Sequence, residues 1–166
     1  MLIRRETAAD EAAIRELTLA AFPGPLEARL VDELRADRGW LPALSLVAED
    51  PDGRVAGHVL CTRGAVDSAP VLGLGPLSVR PDRQRRGVGS ALMHAVLGAA
   101  DALGEPIVAL LGDPAYYHRF GFRPSTEHGI DPPVAEWQKY FQVRTLSAHD
   151  PQVRGTFAYA EPFQRV

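Results

Sequence analysis

The residues best suited to chemistry lie in Gln84-Arg85-Arg86-Gly87-Val88-Gly89-Ser90, and the chemistry they suit is anion binding. The stretch follows an apolar run, Val71–Val79, and a turn at Arg80-Pro81-Asp82. Beyond it Val88, Leu92, Ala95, Val96, Ala99 and Leu103 recur at helical spacing, so a helix begins near the glycines. A strand, a glycine-bearing loop and a helix N-terminus leave backbone N–H groups pointing outward, and the helix dipole adds partial positive charge. Glycines let a ligand approach the main chain. Arg80, Arg83, Arg85 and Arg86 add donors suited to phosphate. A phosphate-bearing ligand is expected here.

Two other phosphate loops do not fit. A dinucleotide turn requires G-x-G-x-x-G directly after a first strand, with an acidic residue further on. A nucleotide-triphosphate loop requires G-x-x-x-x-G-K-[ST], and the chain's one lysine is Lys139. A nucleotide-binding protein is therefore disfavoured.

Composition narrows the class further. A chain of 166 residues suits one domain with one core, residues 1–166. Hydrophobic content of 46% with 23% charged residues is that of a soluble globular protein. A net charge of −3 argues against a general nucleic-acid binder. Cys61 stands alone, which excludes an internal disulfide and a cysteine-based zinc site, and no metal is implied. No apolar run is long enough to span a membrane and no signal-peptide pattern opens the chain, so a cytoplasmic protein without membrane contact is expected. Scarce lysine and absent asparagine, beside abundant Ala, Arg, Gly and Pro, suggest a GC-rich bacterial genome.

The elements that must position the loop read as follows. Leu2–Arg5 is a short strand, and Thr7 with Asp10 opens a helix that buries Ile14, Leu17 and Ala21. Pro23-Gly24-Pro25 breaks it, and a second helix turns Leu26, Leu30 and Leu34 inward until Gly39 ends it. Leu44–Glu49 and Arg54–Val66 form a hairpin about a type I turn at Asp50-Pro51-Asp52-Gly53. Val71–Val79 follows, where Gly73, Gly75 and Pro76 predict a bulge. Ile107–Leu111 is a buried strand, Asp113–Tyr117 a very short helix stopped by Gly121, and Glu136–Leu146 and Gly155–Ala160 the last two strands.

Gln84-x-x-Gly87-x-Gly89 after L-S-V-R-P resembles the pyrophosphate loop of the GNAT superfamily of acyl-CoA-dependent N-acetyltransferases, and the order β-α-α-β-β-β-α-β-α-β-β is also theirs. The segments L-G-D-P-A-Y-Y-H-R-F-G-F and G-T-F-A-Y-A-E-P-F resemble its bacterial YhbS-like branch. The resemblance implies an α/β (α+β) fold with a mixed central sheet of about seven strands and helices on both faces. The fourth and fifth strands splay apart around acetyl-CoA, the acyl-donor cosubstrate. It also implies that Leu77, Ser78 and Val79 meet the pantetheine arm through their backbones, and that Gln84 and the amides of Arg85, Arg86, Gly87, Val88, Gly89 and Ser90 surround the pyrophosphate. A kink at Gly73 and Gly75 would open the wedge and aim an N–H at the thioester carbonyl. A small-molecule amine or a protein or peptide amine is the implied acceptor, attacking the thioester directly through a tetrahedral intermediate; a homodimer is admitted.

Tyr117 occupies the tyrosine of Y-x-x-x-G-F and is the implied proton donor to departing CoA, with Tyr116 beside it as the rival. The sequence departs from the family pattern twice. Gly112-Asp113-Pro114 replaces an asparagine that contacts the cofactor in many relatives, and the strand Val71–Val79 lacks their basic glutamate. Glu27, His58, His118 or water remain as bases. That missing carboxylate also keeps open a non-catalytic acyl-CoA sensor. Cys61 as an acetyl carrier is disfavoured because a lone strand cysteine is usually an apolar filler; His94 is expected in solvent, and His128 and His149 in loops. The acceptor is expected between Phe22–Pro25, Trp40-Leu41 and Trp137–Phe141.

Overall fold

The computed structural model describes residues 1–166. Nine strands join in one sheet: β1 (Leu2–Arg5), β2 (Ser45–Glu49), β3 (Val55–Val66), β4 (Ala69–Val79), β5 (Ile107–Leu111), β6 (Arg123–Pro124), β7 (Ile130–Asp131), β8 (Phe141–Thr145) and β9 (Gly155–Ala158). Seven have four or more residues, and β6 and β7 have two each. The spatial order is β1-β2-β3-β4-β5-β8-β6, with β9 against β3 and β7 against β9. The β4–β5 pair is parallel and β4 with β3 is antiparallel, so the sheet is mixed.

Helix α1 (Glu11–Ala21) and α2 (Leu26–Arg35) cover one face, and α3 (Val88–Ala102) the other. The largest core cluster lies under α3, where Leu92, Met93 and Val96 meet Val59, Cys61 and Leu72. Gly57 makes that contact close, since a Cβ there would lie 2.9 Å from Leu92. No helix is long and apolar enough to cross a membrane.

Several expected details hold. Gly53 N–H donates to the Asp50 carbonyl (2.9 Å), closing the β2–β3 turn. The bulge lies in β4, because the β3 partners change from Val59↔Leu77 to Cys61↔Leu74, leaving Gly75 and Pro76 as the extra length. Gly73 is not part of it: the residue stays in register with Thr62 and Ala109, and it is a glycine because a Cβ would meet the Tyr159 ring at 2.7 Å.

Other details differ. Leu26 faces solvent, and α2 buries Ala28, Leu30, Val31 and Leu34 instead. The helix also ends at Arg35, before Gly39. The strand expected from Glu136 begins only at Phe141, because 134–140 coil into turns closed by Trp137 N–H to Val134 O and Tyr140 N–H to Trp137 O. The last two strands form no hairpin with each other. β3 outruns β2 and leaves Ala65 and Val66 with a free edge, which β9 takes. Gly64 permits that approach, since a Cβ would lie 2.8 Å from the Ala158 carbonyl oxygen.

A buried polar cluster ties α2 to the sheet. Arg35 Nε donates to Glu6 Oε1 (2.8 Å) and Ser45 Oγ to Glu6 Oε2 (2.9 Å). His58 Nε2 lies 2.8 Å from Ser45 Oγ and 3.1 Å from Glu6 Oε2. Burial alone would raise the Glu6 pKa, but the hydrogen bonds from His58, Arg35 and Ser45 prevail and hold it at about 2. Burial, opposed by Glu6, keeps the His58 pKa below its ordinary value, so the ring is neutral. Because the folded Glu6 pKa is depressed, its stabilisation is complete above about 4.5 and is lost as pH falls toward 2. Glu6→Gln should cost about 2–4 kcal/mol at neutral pH by removing the buried carboxylate that pairs with Arg35 and leaving that guanidinium only its longer contacts with Asp32 (3.4 Å) and Glu11 (3.9 Å). Urea unfolding at several pH values checks this, and the gap between parent and variant should narrow on acidification through that window.

Candidate active site

The loop before α3 is built to present amides. Arg85 (φ 61°) and Gly87 (φ 85°) both adopt left-handed backbone, a turn geometry that converges successive N–H groups. Gly87 is the N-cap and offers no side chain, while the first loop-to-helix bond runs from Ala91 N–H to the Gly87 carbonyl. The N–H groups of Val88, Gly89 and Ser90 therefore have no intrahelical acceptor. Val88 buries its side chain in the core and offers only its amide. Gln84 acts as a brace, its Nε2 donating to the Val79 carbonyl (3.0 Å). Gly89 is required by closeness, since a Cβ would approach Tyr116 Oη at 3.0 Å.

Gln84, Arg85, Gly87, Gly89 and Ser90 border a cavity of about 610 Å³ that Tyr116 and Arg119 also line, whereas Val88 and the exposed Arg86, expected with them, do not line it. Arg119 escaped the sequence reading. Its Nε donates to the Tyr116 carbonyl (2.8 Å) and its guanidinium lies over the Tyr116 ring, 4.7 Å from the centroid. The spacing of three within one helical turn was the available signal. The arginines divide in a way composition did not show. Arg80 and Arg83 both donate to Asp50 Oδ2, at 2.8 and 3.0 Å, and Arg80 also to Asp82. They brace the loop against the β2–β3 turn. Arg85 and Arg119 border the cavity itself.

A second cavity, about 430 Å³, adjoins the first and shares Phe22 and Leu77 with it. It exists because β5 pairs with β4 only at Leu72↔Val108 and Gly73↔Ala109, after which the two strands part. Arg80 N–H donates to the Ala56 carbonyl (2.8 Å), which fixes the phase of the antiparallel ladder. With His58 opposite Ser78, that phase turns the backbone groups of Leu77 and Val79 toward the opening. Ser78, expected with them, spends its own backbone groups on β3 and buries its side chain. The bulge carries one N–H, that of Gly75, because Pro76 has none.

The two tyrosines separate cleanly. Tyr116 faces the loop cavity, and Tyr117 faces the apolar one from the end of α4 (Pro114–Tyr117). The Tyr117 ring lies so close over Gly112 that a Cβ there would meet it at 2.5 Å. Burial raises the Tyr117 pKa to about 12, so its hydroxyl stays protonated across the neutral range. Asp113, where relatives carry asparagine, caps α4 through the Ala115 N–H (2.9 Å). Tyr159 and Phe163, stacked 4.3 Å apart, complete the cavity wall and were missed in the sequence.

Of the expected bases only Glu27 borders the cavity. His58 is wholly enclosed in the Glu6 cluster, and His118 is exposed with Nδ1 near the Pro114 and Ala115 carbonyls. Cys61 is buried in the core and burial pushes its thiol pKa far up, which removes a covalent route. His94 is exposed, edge-on to Phe120. Trp40 and Leu41, expected at the acceptor site, pack into the core instead, and of Trp137–Phe141 only Trp137 reaches the cavity.

A mixed sheet splayed between β4 and β5, with an amide-lined loop at the start of α3 opening onto the splay, defines the fold of acyl-CoA-dependent acetyltransferases. Residues 11–122 match the model of the Acetyltransferase (GNAT) family, and the chain belongs to that family. It is 34% identical to the uncharacterized N-acetyltransferase YhbS of Escherichia coli (strain K12) over 99% of each chain. The crystal structure of Escherichia coli YhbS in complex with CoA superposes with a TM-score of 0.92 at 33% identity, covering 99% of this chain and 92% of that one. A GNAT family acetyltransferase from Brucella melitensis, in complex with acetyl-CoA, gives a TM-score of 0.80 at 36% identity over 98% and 97%.

The left-handed backbone at Gly87 makes a test of the loop's construction. Gly87→Val should cost about 1–3 kcal/mol in stability, because a β-branched residue is strained at that φ. The open space around its Cβ position means that no clash adds to this, and a denaturant titration reads the difference.

Proposed function

We propose that this protein transfers an acetyl group from acetyl-CoA to an amine. The observation that carries the reading is the junction of the two cavities. A polar cavity of free amides meets an apolar one at Leu77, with Tyr117 in the apolar wall. A pyrophosphate suits the first and a thioester with its acceptor suits the second. No cluster of His, Cys, Asp or Glu is placed to hold a metal ion.

In this reading the Val88, Gly89 and Ser90 amides and Arg85 hold the pyrophosphate. Leu77 and Val79 pair with the pantetheine arm as an added strand, which brings the thioester to the bulge. The neutral amine attacks the carbonyl carbon, a C–N bond forms, and the tetrahedral intermediate collapses with cleavage of C–S. The nitrogen loses a proton and the sulfur gains one, so the products are an amide and CoA. Gly75 N–H is the bulge's donor to the transient oxyanion. Tyr117 faces the sulfur as it departs. An alkyl thiol has a pKa near 8.5, so complete transfer from a phenol at about 12 would be uphill by about 5 kcal/mol. Tyr117 therefore serves best as a hydrogen-bond donor to sulfur while the bond breaks, with the proton inventory balanced by the one the amine releases.

Two substitutions test this. Gly89→Glu puts a side chain and a negative charge among the free amides, so acetyl-CoA should no longer raise the melting temperature. An undiminished shift would move the donor elsewhere. Tyr117→Phe keeps the ring and should lower kcat by about 10²-fold or more while acetyl-CoA affinity holds. Tyr116→Phe, whose hydroxyl faces the other cavity, should retain most activity in the same thiol-release assay.

A further inference from the structure

The charges around the two cavities are segregated, and that segregation bears on the acceptor. The apolar cavity is walled by Phe22, Tyr117, Trp137, Tyr159 and Phe163, and no Lys, Arg or His borders it. One side-chain carboxylate does, and Val166 also borders the cavity. Glu27 comes from the first turn of α2, is half-buried, and makes no ion pair or side-chain hydrogen bond. The guanidinium groups of Arg85 and Arg119 border the other cavity.

We infer that the acceptor is a monoamine with an uncharged apolar or aromatic body, and that Glu27 pairs with its ammonium before transfer. This rests on the acetyltransferase reading and names its substrate class. An amine that also carries a carboxylate or phosphate would bring an anion into a wall with no counter-charge, at a cost that excludes it. A polyamine or an aminoglycoside brings several cations to a mostly apolar wall with one side-chain carboxylate. An arylalkylamine satisfies every surface: its ammonium meets Glu27, its ring meets aromatic rings, and burial of its body drives binding. Size agrees, since about 430 Å³ corresponds to roughly fourteen water volumes of about 30 Å³, part of which the thioester end occupies. A single ring with a short chain fits the remainder. The ammonium passes its proton to solvent, directly or through Glu27, and the freed lone pair makes the C–N bond as C–S breaks.

The test uses the intact protein with acetyl-CoA and four probes: phenethylamine, phenylalanine, spermidine and kanamycin. Thiol release should give phenethylamine a kcat/KM about tenfold or more above each of the others. Binding is followed separately by Trp137 fluorescence in a Trp40→Phe background, since Trp40 packs in the core near Arg35. Glu27→Gln should weaken phenethylamine binding about tenfold or more, yet leave the binding of uncharged phenethyl alcohol and of acetyl-CoA unchanged. Loss of the alcohol as well would assign Glu27 to packing and overturn its role. Preference for phenylalanine, spermidine or kanamycin would overturn the acceptor class while the acetyltransferase reading stands. The same holds if acetyl-CoA binds but phenethylamine neither turns over nor perturbs Trp137. Failure of the parent to bind acetyl-CoA at all would instead remove the reading beneath it.

Discussion

Everything functional in this molecule depends on two strands that stop pairing. β4 and β5 share register at only two positions, and the extra length at Gly75-Pro76 carries β4 onward as an edge without a neighbour. Unpaired backbone groups at a sheet edge cost free energy unless something meets them. The polypeptide leaves Leu77 and Val79 in that state, and Val79 is only half answered, by the Gln84 amide at its carbonyl. In the proposed reading an extended ligand with its own amides would complete the edge. The same parting of strands exposes apolar side chains of β4 and β5, Leu74, Leu77, Leu110 and Leu111, which become part of the wall of the second cavity. One irregularity in β4 thus creates both the hydrogen-bonding rail and the apolar chamber.

The anion site shows a division of labour between backbone and side chains. Amide donors at a helix start are fixed by the helix itself and lose no side-chain entropy on binding. Arginine side chains are mobile unless tied, and the two nearest the β2–β3 turn are tied, sharing one carboxylate oxygen of Asp50. That pairing holds the loop's base against the hairpin. Arg85 and Arg119 border the cavity and are the arginines placed to attract an anion there. The sequence offers four arginines in seven residues as donors suited to phosphate; the fold ties two of them, Arg80 and Arg83, to Asp50.

What the sequence disclosed and what it hid follow from the range of the interactions. The loop, α3, the β2–β3 turn and the short α4 are set by residues within a few positions of one another, and each was legible. The β4 bulge was legible because Gly and Pro are poor strand residues for local reasons. The Asp50 pairing spans about thirty residues and leaves no local mark. The same is true of the edge that β9 takes on β3, which depends on β2 ending early. Leu26 misled because Leu26, Leu30 and Leu34 make a convincing stripe, while the smaller Ala28 and Val31 shift the buried face around α2. The cavity wall was partly visible in Phe22 and Trp137. Tyr159 and Phe163, which follow β9, reach it only because β9 pairs with the free edge of β3, so no local pattern could mark them.

The burial of Tyr117 sets how protons can move in the proposed reaction. Removing Tyr117 from water raises its pKa to about 12, which makes it a weaker acid but a donor that never ionises near neutrality. A strong acid in the same place would be deprotonated at rest and would repel the departing thiolate. A weak one holds its proton until charge develops on sulfur, when a charge-assisted hydrogen bond in a low-dielectric site becomes worth most. On the opposite requirement, the amine must arrive with a free lone pair, and Glu27 on α2 is the chamber's charged group. The Glu6–Arg35 pair anchors the other end of that helix to the sheet. In the proposed reaction the proton donor is thus positioned by α4, and Glu27 by a helix whose far end is held to the sheet by a buried ion pair.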